Sequence, residues 1–84
     1  MIYPVYSIKD HKGTFMDLML SIHDQAATRS FAQAINADPV KSMMAFAPGD
    51  YDLFKVAFFD SESGIVNTVN PIEFIVNGSS LVGG

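Results

Sequence analysis

Eighty-four residues suffice for one domain with a modest core, and 49% of them are hydrophobic. The absence of cysteine excludes disulfides, thiolate chemistry and cysteine-based zinc sites. A net charge of −4, from five Lys or Arg against nine Asp or Glu, weighs against a generic nucleic-acid binder, which is usually basic. The apolar fraction exceeds what a small monomer readily hides, which predicts a homo-oligomer, with a dimer favoured.

The chain opens on a predicted strand over Ile2 to Ile8. Pro4 lacks the N–H a ladder needs, so this strand should sit at a sheet edge or begin there. Lys9 to Gly13 reads as a turn, and Thr14 to Ile22 as a second strand. In that strand Met16, Leu18, Leu20 and Ile22 share an apolar face, and Phe15, Asp17, Met19 and Ser21 share a mixed one.

Asp24 is a suitable helix start, with a carboxylate able to accept first-turn N–H groups. The helix runs on to about Ala37. Ala27, Phe31, Ala34 and Ile35 make its buried stripe, while Gln25, Arg29, Gln33 and Asn36 lie away from it. Asp38-Pro39 stops it, because a residue before proline is pushed out of the α region. Val40 to Pro48 fits either a short helix or an irregular loop.

"YDLFKVAFF" and "IVNTV", joined by Ser61-Glu62-Ser63-Gly64, read as a hairpin. Asn70-Pro71 breaks the pattern, and Ile72 to Val76 is a last short strand. The order is β-β-α-β-β-β. The expected fold is α+β, with about five short, mainly antiparallel strands, curled or barrel-like, and one covering helix. Residues 1–77 form a single domain, and residues 78–84 a flexible Gly/Ser tail. The first hairpin strand is apolar on both faces, so a curled sheet or a second subunit must cover what the helix does not.

Chemistry is sparse. The two histidines, His11 and His23, are too few for a metal site, and no cofactor is expected. No Ser-His-Asp order, HExxH or phosphate-cradling glycine loop is present. Asp50 and Asp52 could act as paired carboxylates, but read more simply as a solvated strand entry. No enzyme activity is expected. The N-terminus lacks a signal-peptide pattern, and no apolar run approaches the roughly 20 residues of a membrane span. The basic residues are Lys9, Lys12, Arg29, Lys41 and Lys55, with Lys9, His11 and Lys12 crowded in one turn. Tyr3, Tyr6, Phe15 and Phe59 could offer stacking faces near such charges, as single-strand binders do. The simpler reading has the aromatics in the core and the lysines keeping sheet edges soluble.

The succession "IYPVYSIKDHKGTF", "QAATRSFAQAINADP" and "PGDYDLFKVAFFDSESG" resembles the small nonstructural protein, the ORF5 family, of gokushovirus-type microviruses. The residues that carry the likeness are Arg29, Phe31, Asn36, Asp38, Pro39, Asp50, Tyr51, Leu53, Phe54, Phe59, Asp60 and Gly64. The resemblance implies a nonstructural protein of a single-stranded DNA phage, working in the host cytoplasm in viral DNA replication or packaging. On that basis single-stranded DNA is the expected partner. Contacts are expected at Lys9, His11 and Lys12, supported by Arg29, Tyr3, Tyr6 and Lys55. The alternative is an interaction module that docks on a viral replication or capsid-assembly protein without touching DNA.

Overall fold

The computed structural model describes residues 1–83. Strand β1 (Ile2–Asp10) runs into a tight turn, and β2 (Met19–Leu20) follows. Helix α1 (Asp24–Ile35), the short helix α2 (Met43–Phe46) and a 3-10 turn at Pro48–Asp50 lead into β3 (Tyr51–Asp60). Strand β4 (Val66–Asn77) and a second 3-10 turn (Gly78–Leu81) complete the chain. The strands form one antiparallel sheet in the order β2-β1-β3-β4.

The α+β class is as expected, but the sheet has four strands and is open, not barrel-like. The expected fourth and fifth strands are one. β4 passes through a cis Asn70–Pro71 bond, and its pairing with β3 jumps from Thr68 to Glu73 across the region of Val56. A proline that would end a regular ladder is accommodated here in a bulge.

The predicted strand over Thr14 to Ile22 shrinks to the two residues of β2, with an isolated bridge from Phe15 to Lys9. Two isolated hydrogen bonds at Met16, one from a side chain and one from backbone, stand in for ladder pairing. The Ser7 hydroxyl donates to the Met16 carbonyl at 2.8 Å, and the Met16 N–H donates to the Ile8 carbonyl at 2.8 Å. The facing is also inverted. Met19 pairs with Tyr6 and packs on the core, while Leu18, Leu20 and Ile22 are exposed. β1 is thus an inner strand, between β2 and β3, and not the edge expected from Pro4; the proline is tolerated because β2 pairs with β1 only at Val5 and Tyr6, leaving few ladder bonds on that flank.

Ala27, Phe31 and Ile35 at i, i+4, i+8 do form the buried stripe of α1, and they meet Tyr6, Ile8, Tyr51 and Leu53 of the sheet. The helix cap is His23, not Asp24: the His23 Nδ1 accepts from the Ala26 N–H at 3.0 Å. The helix ends at Ile35, before the Asp38-Pro39 stop, because the Asn36 side chain takes the Ala32 carbonyl and joins it to Leu81. In the ambiguous stretch a helical turn forms, capped by Ser42.

The segment expected to fray is docked in its first half. Gly78 is buried, Leu81 packs on the core, and Asn36 bonds the Leu81 carbonyl and the Gly83 N–H at 2.9 and 2.8 Å.

One helix cannot cover this sheet. Twelve helical residues rise about 18 Å, whereas the ten of β3 extend about 33 Å. The molecule is accordingly elongated, 42 × 22 × 19 Å.

Candidate functional site

Three places carry the polar and exposed aromatic residues. The first lies between helix and sheet. Tyr6 is fully buried, and its hydroxyl donates to Asp24 Oδ1 at 2.5 Å. Lys55 reaches the same carboxylate at 3.1 Å and Glu73 at 3.8 Å, with only 13% of its side chain exposed. Burial, then the hydrogen bond to Asp24, pushes the Tyr6 phenol well above its ordinary value. The Tyr6 hydrogen bond, aided by Lys55, lowers Asp24 against the opposing effect of burial. This node ties α1 to β1, β3 and β4. An open cleft of about 500 Å³ lies beside it, walled by Ile2, Pro4, Ile22 and Phe58. Neither Tyr6 nor Lys55 offers a free face to a nucleic acid.

The second place is the basic turn. His11 Nε2 lies 2.7 Å from Asp52 Oδ2, and Lys12 Nζ lies 3.4 Å from Asp50 Oδ2. The densest positive charge in the sequence is therefore matched by the carboxylates at the entry to β3. Chain order hides this pairing, which the β1–β3 register creates by setting Lys9 opposite Asp52 and Asp10 opposite Tyr51. Lys9 points its ammonium over the Phe15 ring, 5.5 Å from the centroid, and donates to the Gly13 carbonyl at 2.7 Å. Arg29 is exposed on α1, on the opposite side of the sheet from Lys9. The seven residues expected at a DNA surface are thus spread over both faces. Lys9 and Tyr3 alone share the open side, by their odd places in β1.

The third place is that open side. Phe54 stands between Phe15 and Phe74, with ring centroids 5.7 and 5.8 Å apart and edge-to-face geometry. Leu18, Val56 and Ile72 line the same concavity above Ser7. Farther along, Leu20 lies opposite Val5, and Phe59 lies between Tyr3 and Val66. Phe15 is visible in the sequence as an aromatic near a lysine. The cluster is not, because its members come from three segments 20 or more residues apart. The readable cue is a β3 strand apolar on both faces, paired with the small Ser7 and the exposed aromatic Phe74.

Among the described residues no group of three His, Asp or Glu side chains is placed to hold a metal ion. No helix among them is long and apolar enough to cross a membrane. The open aromatic-aliphatic sheet face is the broad exposed apolar surface of this small α+β protein.

The family model described as Phage ORF5 protein matches residues 3–81. The chain belongs to this family, and it is a phage protein. No curated protein and no solved structure matches it.

Proposed function

We propose that this phage protein is a non-catalytic interaction module that docks through the open face of its sheet, acting in the host cytoplasm in the replication or assembly of a microvirus-type phage. One observation supports this above others. The face joins Phe15, Phe54 and Phe74 to Leu18, Val56 and Ile72 in a single exposed apolar surface. Monomeric soluble proteins rarely leave such a surface uncovered unless it binds something. In phage carrying Leu18→Asp or Phe74→Asp, propagation should fall while the protein folds normally. Arg29→Ala phage should propagate as wild type. Normal propagation of the two face variants would remove the proposal.

A second reading is single-stranded DNA binding on the same face, and the specific observation in its favour is the Lys9 ammonium over Phe15, next to two further phenyl rings. Exposed aromatics on a sheet stack bases at about 1–3 kcal/mol each. The pairing of His11 and Lys12 with carboxylates leaves few cations for phosphate, which ranks this reading second. Anisotropy titration with a labelled single-stranded oligonucleotide at low and moderate salt separates the two. DNA binding requires affinity that falls with salt, by about 0.7 in log–log slope per phosphate contact, and that weakens in Lys9→Glu.

A further inference from the structure

We infer that the occupant of the open sheet face is a second copy of this chain, joined face to face by a two-fold axis into a sheet-on-sheet dimer with the helices outside. The inference rests on the docking reading above and names its partner.

Area carries the argument first. Leu18, Leu20 and Val66 are 66%, 55% and 56% exposed, and Phe15 and Phe74 are 44% and 54% exposed. Large side chains of this kind bury about 150–250 Å² each when fully covered. The open fractions, with Ile72, therefore sum to about 500–700 Å². A stable interface needs roughly 800 Å² per partner, so this face alone supplies most of one. It also lies at or above the upper end of what a monomer ordinarily shows as its largest apolar patch, about 300–600 Å².

Charge decides between partners. Each copy carries −4, and two like-charged molecules associate only where their carboxylates need not meet. On this sheet Asp24, Lys55 and Glu73 are gathered into the node on the helix side. Lys9 and Asp52 are opposite each other at the turn end. The span from Leu20 and Val66 to Phe74 consists of uncharged positions, with the Lys9 ammonium over Phe15 at its border, so the face is compatible with itself under a two-fold operation. A nucleic-acid partner would require more cations than the single Lys9 at the border of this span.

Geometry agrees. Antiparallel sheets pack face to face about 10 Å apart through interdigitated side chains. The concavity above Ser7, rimmed by Phe15, Leu18, Val56 and Ile72, is a depression into which a partner's side chains can pass.

The test is sedimentation velocity of the full chain from about 1 to 100 µM. Wild type should sediment at twice the chain mass. Leu18→Asp should shift the dissociation constant upward at least tenfold, with an unchanged far-ultraviolet circular dichroism spectrum. Leu20→Lys supplies the same comparison should Leu18→Asp not fold. Phe46→Asp is the control: Phe46 is 70% exposed, but on α2, and its variant should remain dimeric. A wild type at single-chain mass throughout, or dissociation by Phe46→Asp and not by Leu18→Asp, overturns the second-copy assignment. In the first case, loss of propagation by Leu18→Asp phage would leave the docking reading standing with a different partner. Normal propagation would remove both.

Discussion

Tyr6 and Asp24 give the fold two opposite pH limits through a single hydrogen bond. Asp24 has a lowered pKa when folded, so its contribution is complete above its ordinary value of 3.8 and is lost as pH falls below it. Tyr6 has a raised pKa, so its contribution is complete below 10.0 and is lost as pH climbs past that value, where the unfolded phenol ionises and the folded one does not. Urea midpoints should therefore fall below pH 4 and again above pH 10. In Tyr6→Phe the alkaline fall from this residue should vanish. The same variant should lose about 1–2 kcal/mol at pH 7, toward the low end of charged hydrogen bonds because the Asp24 side chain is 44% exposed. An alkaline limit that persists unchanged in Tyr6→Phe would place its origin elsewhere, with Tyr51 the next candidate, since burial raises its phenol too.

At the scale of elements, two short contacts set boundaries that periodicity cannot. His23 caps α1 with a ring nitrogen, leaving the Asp24 carboxylate free for Tyr6 and Lys55. His23→Ala should cost about 1 kcal/mol in denaturant unfolding, and His23→Asn should restore most of it. Gly78 lets the last 3-10 turn lie against Pro48 and the end of α1. A Cβ there would sit 2.7 Å from Ile35 Cδ1 and closer still to the Pro48 carbonyl oxygen. Since backbone cannot yield as a flexible side chain would, Gly78→Ala should lose about 1–3 kcal/mol and loosen the segment through Leu81. Amide exchange at Gly83, whose N–H bonds Asn36, reads that loosening directly. Unchanged exchange and stability would mean that the turn does not depend on this approach.

For the whole molecule, stability is concentrated on one side of the sheet. Phe31 is 1% exposed at the centre of the only substantial core among the described residues. Phe31→Ala should cost about 3–5 kcal/mol, a large share of the roughly 5–15 kcal/mol typical of a domain. A melting curve like that of wild type would contradict this placement. The elongated shape follows from the same asymmetry: strands outrun the helix, and part of the sheet stays uncovered.

The sequence by itself determined the elements whose signal is local. The helix was legible in Ala27, Phe31 and Ile35, because a 3.6-residue period survives in any context that buries one face. The β3–β4 turn was legible in Ser61 to Gly64, where Gly64 takes a φ of +77° that other residues rarely adopt. The phage family was legible in motifs spread along the chain. Tertiary structure alone decided the facing of Phe15 to Ile22, since alternation marks two faces but not which is inside. It alone carried β4 through Pro71, because a bulge depends on the neighbouring strand and not on the residue that needs it. It alone matched Lys12 and His11 to Asp50 and Asp52, and it alone assembled Phe15, Phe54 and Phe74. Those pairings lie some 20 to 40 residues apart in the chain, and strand register, a collective outcome of packing, is what brings them within reach.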